Sequence, residues 1–133
     1  MAKYLLDTNI CVFLMRGKHC LDRKIREVGI ENCCISEITF VELIYGAECS
    51  NNPVEVHKIV ENFCSDIEIV PMSNSIYEFA RQKAILRKEG NLIDDFDLLI
   101  ASCAIANDMV LVTDNTKHFD RISSVKLQNW VPR

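Results

Sequence analysis

No apolar run in the 133 residues approaches the ~18–20 needed for a membrane-spanning helix. The opening Met1-Ala2-Lys3-Tyr4-Leu5-Leu6-Asp7 reaches an acid too soon for the apolar stretch of a secretory leader. Internal repeats, low-complexity tracts and linker-like segments are lacking, so a single domain over 1–133 is expected. The seven cysteines include no Cys-x-x-Cys pair, and His19, His57 and His118 are too scattered for a zinc-ligand spacing. Cys33-Cys34-Ile35 and Ala101-Ser102-Cys103-Ala104 are apolar stretches, which makes the cysteines small buried hydrophobes of a reducing compartment. A Gly-rich phosphate loop and a Cys–His nucleophile signature are also missing. These absences leave a soluble, cytoplasmic globular chain as the expectation.

What is present begins with 49% hydrophobic and 26% charged residues, enough apolar content for a real core. Taken alone, the net charge of −4 argues against nucleic acid as a partner, but its distribution is uneven. Glu31, Glu37, Glu42, Glu48, Glu55, Glu61, Asp66 and Glu68 face a single base, Lys58, in one segment, a net −7. The remaining chain carries 14 bases and 11 acids, a net +3. The termini and Arg81, Lys83, Arg87 and Lys88 are basic. For any one of these, a solvated helix face is the simpler account.

Periodicity predicts strands at Lys3–Leu6, Cys33–Ser36, Asp66–Val70, Met109–Thr113 and Val125–Leu127. Helices are predicted at Ile10–Met15, Leu21–Val28, 38–48, from Pro53 through Phe63, at Ile76–Lys88 and at Phe96–Asn107. Strands alternating with helices imply an α/β fold, a parallel β-sheet flanked by helices on both faces.

Ligands of such sheets bind beyond the carboxyl ends of the strands. Two predicted strands run into acids there, Leu5-Leu6 into Asp7 and Leu111-Val112-Thr113 into Asp114. Asp97 falls in the first turn of the most buried helix, where amide groups and the helix dipole favour negative charge. Glu42 breaks an apolar helical stretch. Each acid has an ordinary explanation: Asp7-Thr8-Asn9 suits a helix-capping turn, Asp94, Asp95 or Asp97 could each be an N-cap, Thr39 and Glu42 have capping-box spacing, and Asp114-Asn115 is a common turn. Jointly they point to more, because clustered carboxylates repel unless a cation compensates. Oxygen ligands without Cys or His select Mg²⁺, with Mn²⁺ the alternative.

These segments resemble the PIN domain of the VapC type, the toxin half of VapBC toxin–antitoxin pairs. Tyr4-Leu5-Leu6-Asp7-Thr8-Asn9 resembles the opening strand and first acid, and 35–47 the segment holding the second, Glu42. Asp97-Leu98-Leu99-Ile100-Ala101 resembles the third region, 110–119 the fourth, and Leu127-Gln128-Asn129-Trp130 the usual ending. The resemblance implies a Mg²⁺-dependent endoribonuclease, neutralised by a cognate VapB-type antitoxin and usually a homodimer, with tRNA cut by some relatives. It ranks Asp7 and Asp97 first as metal ligands, then Glu42, as a ligand or holder of a water, then Asp114 or Asn115. Thr8, Asn9, Thr113 and Asn115 are expected to fix the carboxylates, and Arg16, Lys18, Arg81 and Lys117 to hold phosphates.

The chain departs from the pattern twice. Asp94-Asp95 stands where many relatives have Gly-Pro, and Asn115 stands where many PIN domains have an acid. Two other readings compete. One is a PIN fold that binds RNA or protein without cutting. The other is a phosphatase with Asp7 as nucleophile, a poor match because Asn9 replaces the second acid of that pattern. Val12, Phe13 and Tyr45 belong either to the core or to a groove for an antitoxin helix.

Overall fold

The computed structural model describes residues 2–132. Five strands, β1 (Tyr4–Leu6), β2 (Cys33–Ser36), β3 (Glu68–Val70), β4 (Val110–Val112) and β5 (Lys126–Gln128), form one sheet in the order β3-β2-β1-β4-β5. Every pairing is parallel; Tyr4 lies opposite both Cys33 and Val110. β1 is central, with the chain moving outward through β2 and β3 on one side and through β4 and β5 on the other. The order therefore reverses between β1 and β4, where a crevice opens at the carboxyl edge.

The helices are α1 (Thr8–Met15), α2 (Leu21–Val28), α3 (Glu37–Glu48), α4 (Pro53–Ser65), α5 (Ile76–Lys88), α6 (Asp95–Ala106) and α7 (Thr116–Phe119). Short 3₁₀ turns cover Ile30–Asn32 and Ser73–Ser75. Successive strand residues point to opposite faces, so each strand feeds two cores. Leu5, Cys34 and Leu111 pack with Leu86 of α5 and Leu98, Ile100 and Ala104 of α6. Leu6, Cys33, Ile35 and Val112 pack on the other face with Ile10 of α1, Leu21 of α2, Leu43 of α3 and Val60 of α4. Tyr4 meets Trp130 edge-on, with ring centroids 5.2 Å apart.

α2 and α5 match the predicted boundaries, and Gly17 and Gly90 hold positive φ just past α1 and α5. α1 begins two residues before the predicted start, because the Asp7 side chain caps it by accepting from the Thr8 amide. The capping box that the Thr39–Glu42 spacing allows as an ordinary account of Glu42 does not form. Ser36 caps α3 instead, accepting from the Thr39 amide at 3.1 Å, which places Thr39 inside the helix. The four-residue α7 had no sequence signal, being too short to show a 3.6 period. The cysteine reading needs one correction: Cys20 and Cys49 are exposed, since they sit at helix ends rather than on apolar faces. All seven thiols are free. Among the described residues, no helix is long and apolar enough to cross a membrane.

Candidate active site

The crevice at the carboxyl edge of β1, β2 and β4 gathers side chains from four segments. Asp7 follows β1 and is 5% exposed. Its Oδ1 accepts from the Thr8 amide at 2.8 Å, and its Oδ2 from the Thr113 hydroxyl at 2.7 Å. Thr113 follows β4, is fully buried, and accepts in turn from the Asn115 amide at 3.0 Å. Asn9 reaches the same loop, its Oδ1 accepting from the Asp114 amide at 3.3 Å. Thr8, Asn9, Thr113 and Asn115 thus tie the loop after β4 to the start of α1.

Glu42 enters from α3 and accepts from the Thr8 hydroxyl at 2.6 Å. Thr8 Oγ1 also lies 3.1 Å from Thr39 Oγ1, which is 3.5 Å from Ser36 Oγ. A hydroxyl has one hydrogen, and the carboxylate takes that of Thr8. Thr39 therefore donates to Thr8, and Ser36 to Thr39. The result is a directed relay, Ser36 to Thr39 to Thr8 to Glu42, in which each donor polarises the next.

Asp97 sits in the first turn of α6, and its Oδ2 lies 3.0 Å from His118 Nε2 of α7. Asp94 caps α6 by accepting from the Phe96 amide, and Asp95 pairs with Lys83 of α5 at 2.9 Å. The two acids that depart from the Gly-Pro pattern thus serve the helix start and its tie to α5.

Burial raises the carboxyl of Asp7, with Asp97 adding and the Thr113 and Thr8 donors opposing. Burial likewise raises Glu42, with Asp7 and Asp94 adding and Thr8 opposing. Burial raises Asp97 too, opposed by His118 and reinforced by Asp94 and Glu42. The acids destabilise one another's charge, the situation that a bound cation relieves. Among the described residues, no three His, Cys, Asp or Glu side chains stand in coordinating geometry. Each acid is engaged by a donor instead. The donor set, all hard oxygen, suits Mg²⁺ or Mn²⁺ by chemistry.

The remaining sequence candidates scatter around this centre. Asp114 accepts from Asn129 at 3.1 Å and lines a polar cavity with Asn115, Thr116 and Lys117. Arg16 lines a 310 Å³ groove between α1, α3 and α4, together with Thr8, Val12 and Glu42. Lys18 is exposed after α1. Arg81 is engaged by Glu78 of its own helix. His118, Thr39, Ser36 and Lys83 were absent from the sequence reading of the site. His118 falls in the segment that resembles the fourth region without a role of its own, and its partner Asp97 lies 21 positions away, so no local pattern marks the pair.

The PIN-domain family model matches residues 4–125. The tRNA(fMet)-specific endonuclease VapC of Shigella flexneri is 34% identical over 131 residues, 98% of this chain and 99% of the relative. Ribonuclease VapC2 of Haemophilus influenzae is 35% identical over 134 residues, 98% and 100% of the two chains. The chain is a PIN domain of the VapC family. A chain of the DNA-bound VapBC structure from Salmonella typhimurium superposes with a TM-score of 0.91 at 34% identity, covering 98% of this PIN domain and 99% of that chain. A chain of Rickettsia felis VapBC2, bound to a promoter DNA fragment, gives 0.87 at 34% identity, covering 96% and 98%.

Proposed function

We propose that this PIN domain is an endoribonuclease, the toxin of a toxin–antitoxin pair, that hydrolyses RNA phosphodiester bonds with a divalent cation. The observation that carries the reading is the convergence of Asp7, Glu42 and Asp97 at the strand-order reversal, each held by a donor while its neighbours disfavour its charge. The relatives' names, ribonuclease VapC and tRNA(fMet)-specific endonuclease VapC, support the activity and make tRNA the first substrate to test.

Asp7 and Asp97 would hold Mg²⁺, or Mn²⁺ in its place, with Glu42 beside them. The ion supplies positive charge that polarises a phosphodiester and makes water a stronger acid. The chain's own groups do the rest. Thr113 and the Thr8 amide aim the two oxygens of Asp7. The hydroxyl relay fixes Glu42, whose raised carboxyl suits it to orient the attacking water and accept its proton. His118 holds Asp97 Oδ2, and the lone pairs it leaves on the carboxylate would serve the ion. Asp114 or Asn115 would complete the rim. Arg16, Lys18, Arg81 and Lys117 are the proposed phosphate contacts; Arg16 and Lys117 line cavities beside the site, whereas Arg81 must first leave Glu78.

The partner is a VapB-type antitoxin, as in the VapBC complexes this fold superposes on. The groove between α1, α3 and α4 suits an amphipathic helix, with Val12, Val56 and Ile59 for its apolar face and Arg16 and Glu42 as its charged lining. A homodimer and a cytoplasmic location complete the proposal; Ile76, Tyr77 and Ile85, 62%, 90% and 43% exposed, are the large apolar residues of α5 left for a second copy.

The decisive experiment compares RNA ends after induction of the wild type and Asp7→Asn. New ends at fixed positions with the wild type alone, lost on EDTA treatment of the purified protein and restored by Mg²⁺, are expected. Equal cleavage by Asp7→Asn refutes the assignment.

A further inference from the structure

The loop after β4 and the chain end after β5 enclose a second cavity of about 330 Å³, lined by Asp114, Asn115, Thr116, Lys117 and Asn129. It is joined to the acids by hydrogen bonds. Thr113, which donates to Asp7, accepts from the amide of Asn115, and Asn9 accepts from the amide of Asp114. A group seated there lies one short loop from the carboxylates.

Part of its wall is fixed in advance. Asn129 Oδ1 accepts from the Val131 amide at 2.9 Å, and its Nδ2 donates to Asp114 at 3.1 Å, which settles the amide's orientation. The amide's second N–H is left over. The Asn115 side-chain amide, the Thr116 hydroxyl and the Lys117 ammonium have no protein partner among the described residues. The cavity therefore offers fixed donors and acceptors beside unpartnered ones, with no aromatic ring in its lining.

That lining selects by chemistry. An apolar ligand finds few contacts. A phosphate inside would face the Asp114 carboxylate, and a metal ion would face Lys117. A neutral, planar group with both donors and acceptors suits all of them. Side-chain amides can pair with nucleobase edges through a donor and an acceptor at once, and Lys is a common contact for a phosphate. The volume, at the lower end of the roughly 300–1,000 Å³ typical of small-ligand sites, suits one base rather than two.

We propose that this cavity binds a single unstacked nucleobase next to the cut bond, with Asn115 and Asn129 reading its edge and Lys117 on the adjoining phosphate. The inference rests on the ribonuclease reading and adds its source of base preference. Recognition is by the edge, because no ring is present for stacking.

The test uses the full chain carrying Asp97→Asn, so that bound RNA is not consumed. Fluorescence anisotropy measures its affinity for the four hexanucleotides of A, C, G and U. A preference of roughly tenfold for one base is expected, falling to about threefold or less on adding Asn115→Ala. Asn115 has no side-chain partner to lose, so that variant folds; Asn129→Ala, checked by its melting curve, is the second. Lys117→Gln should weaken all four alike and reduce the salt slope by about one. If Asn115→Ala and Asn129→Ala leave the spread intact while the wild type cuts RNA, the base site is wrong and the activity stands. If the wild type cuts no RNA and Asp97→Asn binds none, both fall. If the variants alter only retention of a co-expressed antitoxin, the cavity is a protein contact and the inference is overturned.

Discussion

Thr113→Val isolates the hydroxyl that joins the two central strands across the site. Thr113 is fully buried, so the isosteric change leaves its packing intact and removes only its hydrogen bonds. The bond to Asp7 Oδ2, at 2.7 Å, is charge-assisted and contributes about 1.5–3 kcal/mol. The bond accepted from the Asn115 amide contributes less, because Asn115 is exposed and water replaces its partner. The added methyl returns about 0.8 kcal/mol of apolar burial. The net loss is about 1–2.5 kcal/mol, and with a urea slope of about 2 kcal/mol/M the midpoint falls by roughly 0.5–1.2 M. Thr113→Ser keeps the hydroxyl and its hydrogen bonds and loses one methyl, for about 1 kcal/mol.

Urea unfolding in EDTA at pH 7.5, followed by far-UV circular dichroism, compares the three proteins. The penalty for Thr113→Val should also depend on pH. Burial raises the folded carboxyl of Asp7 above its ordinary 3.8, so its neutral form favours folding. That contribution is complete below the unfolded value and is lost as pH rises through the folded one. Removing the Thr113 donor raises the folded value further and costs most where Asp7 is ionised. The gap between Thr113→Val and wild type must therefore narrow as pH falls toward 4. A valine protein more stable than the serine one at pH 7.5, or a gap that widens on acidification, refutes the reasoning.

Two further outcomes follow from the same electrostatics and burial. Mg²⁺ at a hundredfold excess over its Kd should stabilise the wild type by about 2.7 kcal/mol, roughly 8–10 °C in a chain of this size; thermal melts of Asp7→Asn and Asp97→Asn should lose most of that shift, and an equal shift in all three proteins would place the ion elsewhere. Ellman's reagent on the folded protein should modify Cys20 and Cys49 quickly, while Cys33, Cys34 and Cys103, each pushed up to about 11 by burial, and Cys11, which burial also raises, wait for unfolding. A uniform rate across all seven would contradict the burial.

The fold was legible because its signals are local. A three-residue strand running into Asp7, an α6 apolar nearly all round, and Gly17 and Gly90 past helix ends each report on a few neighbouring positions. Two alternating cores on one sheet follow from the strand period alone. α7 escaped because four residues hold barely one turn. The Thr39–Glu42 spacing leaves two accounts open because a capping box and a helix interior share it. Ser36, three residues before Thr39, has an equal claim to the cap, and only the position of β2 decides for it.

The acids were legible for a different reason than their supports. A carboxylate at a strand's end or inside an apolar helix breaks a local pattern, so Asp7, Glu42 and Asp97 stand out one at a time. What holds them breaks none. Thr113 is 106 positions from Asp7, Thr8 is 34 from Glu42, and His118 is 21 from Asp97, and each is unremarkable in its own segment. The same separation explains why net charge misled. The −7 segment from Glu31 to Glu68 brings only Glu42 among the converging acids, and the others in that cluster, Asp7, Asp94 and Asp97, come from the part of the chain that is basic overall. Sheet topology, not composition, concentrates negative charge at the crevice. A patch assembled in that way from a mixed surface can hold a cation while neighbouring bases such as Arg16 and Lys117 remain available to a polyanion.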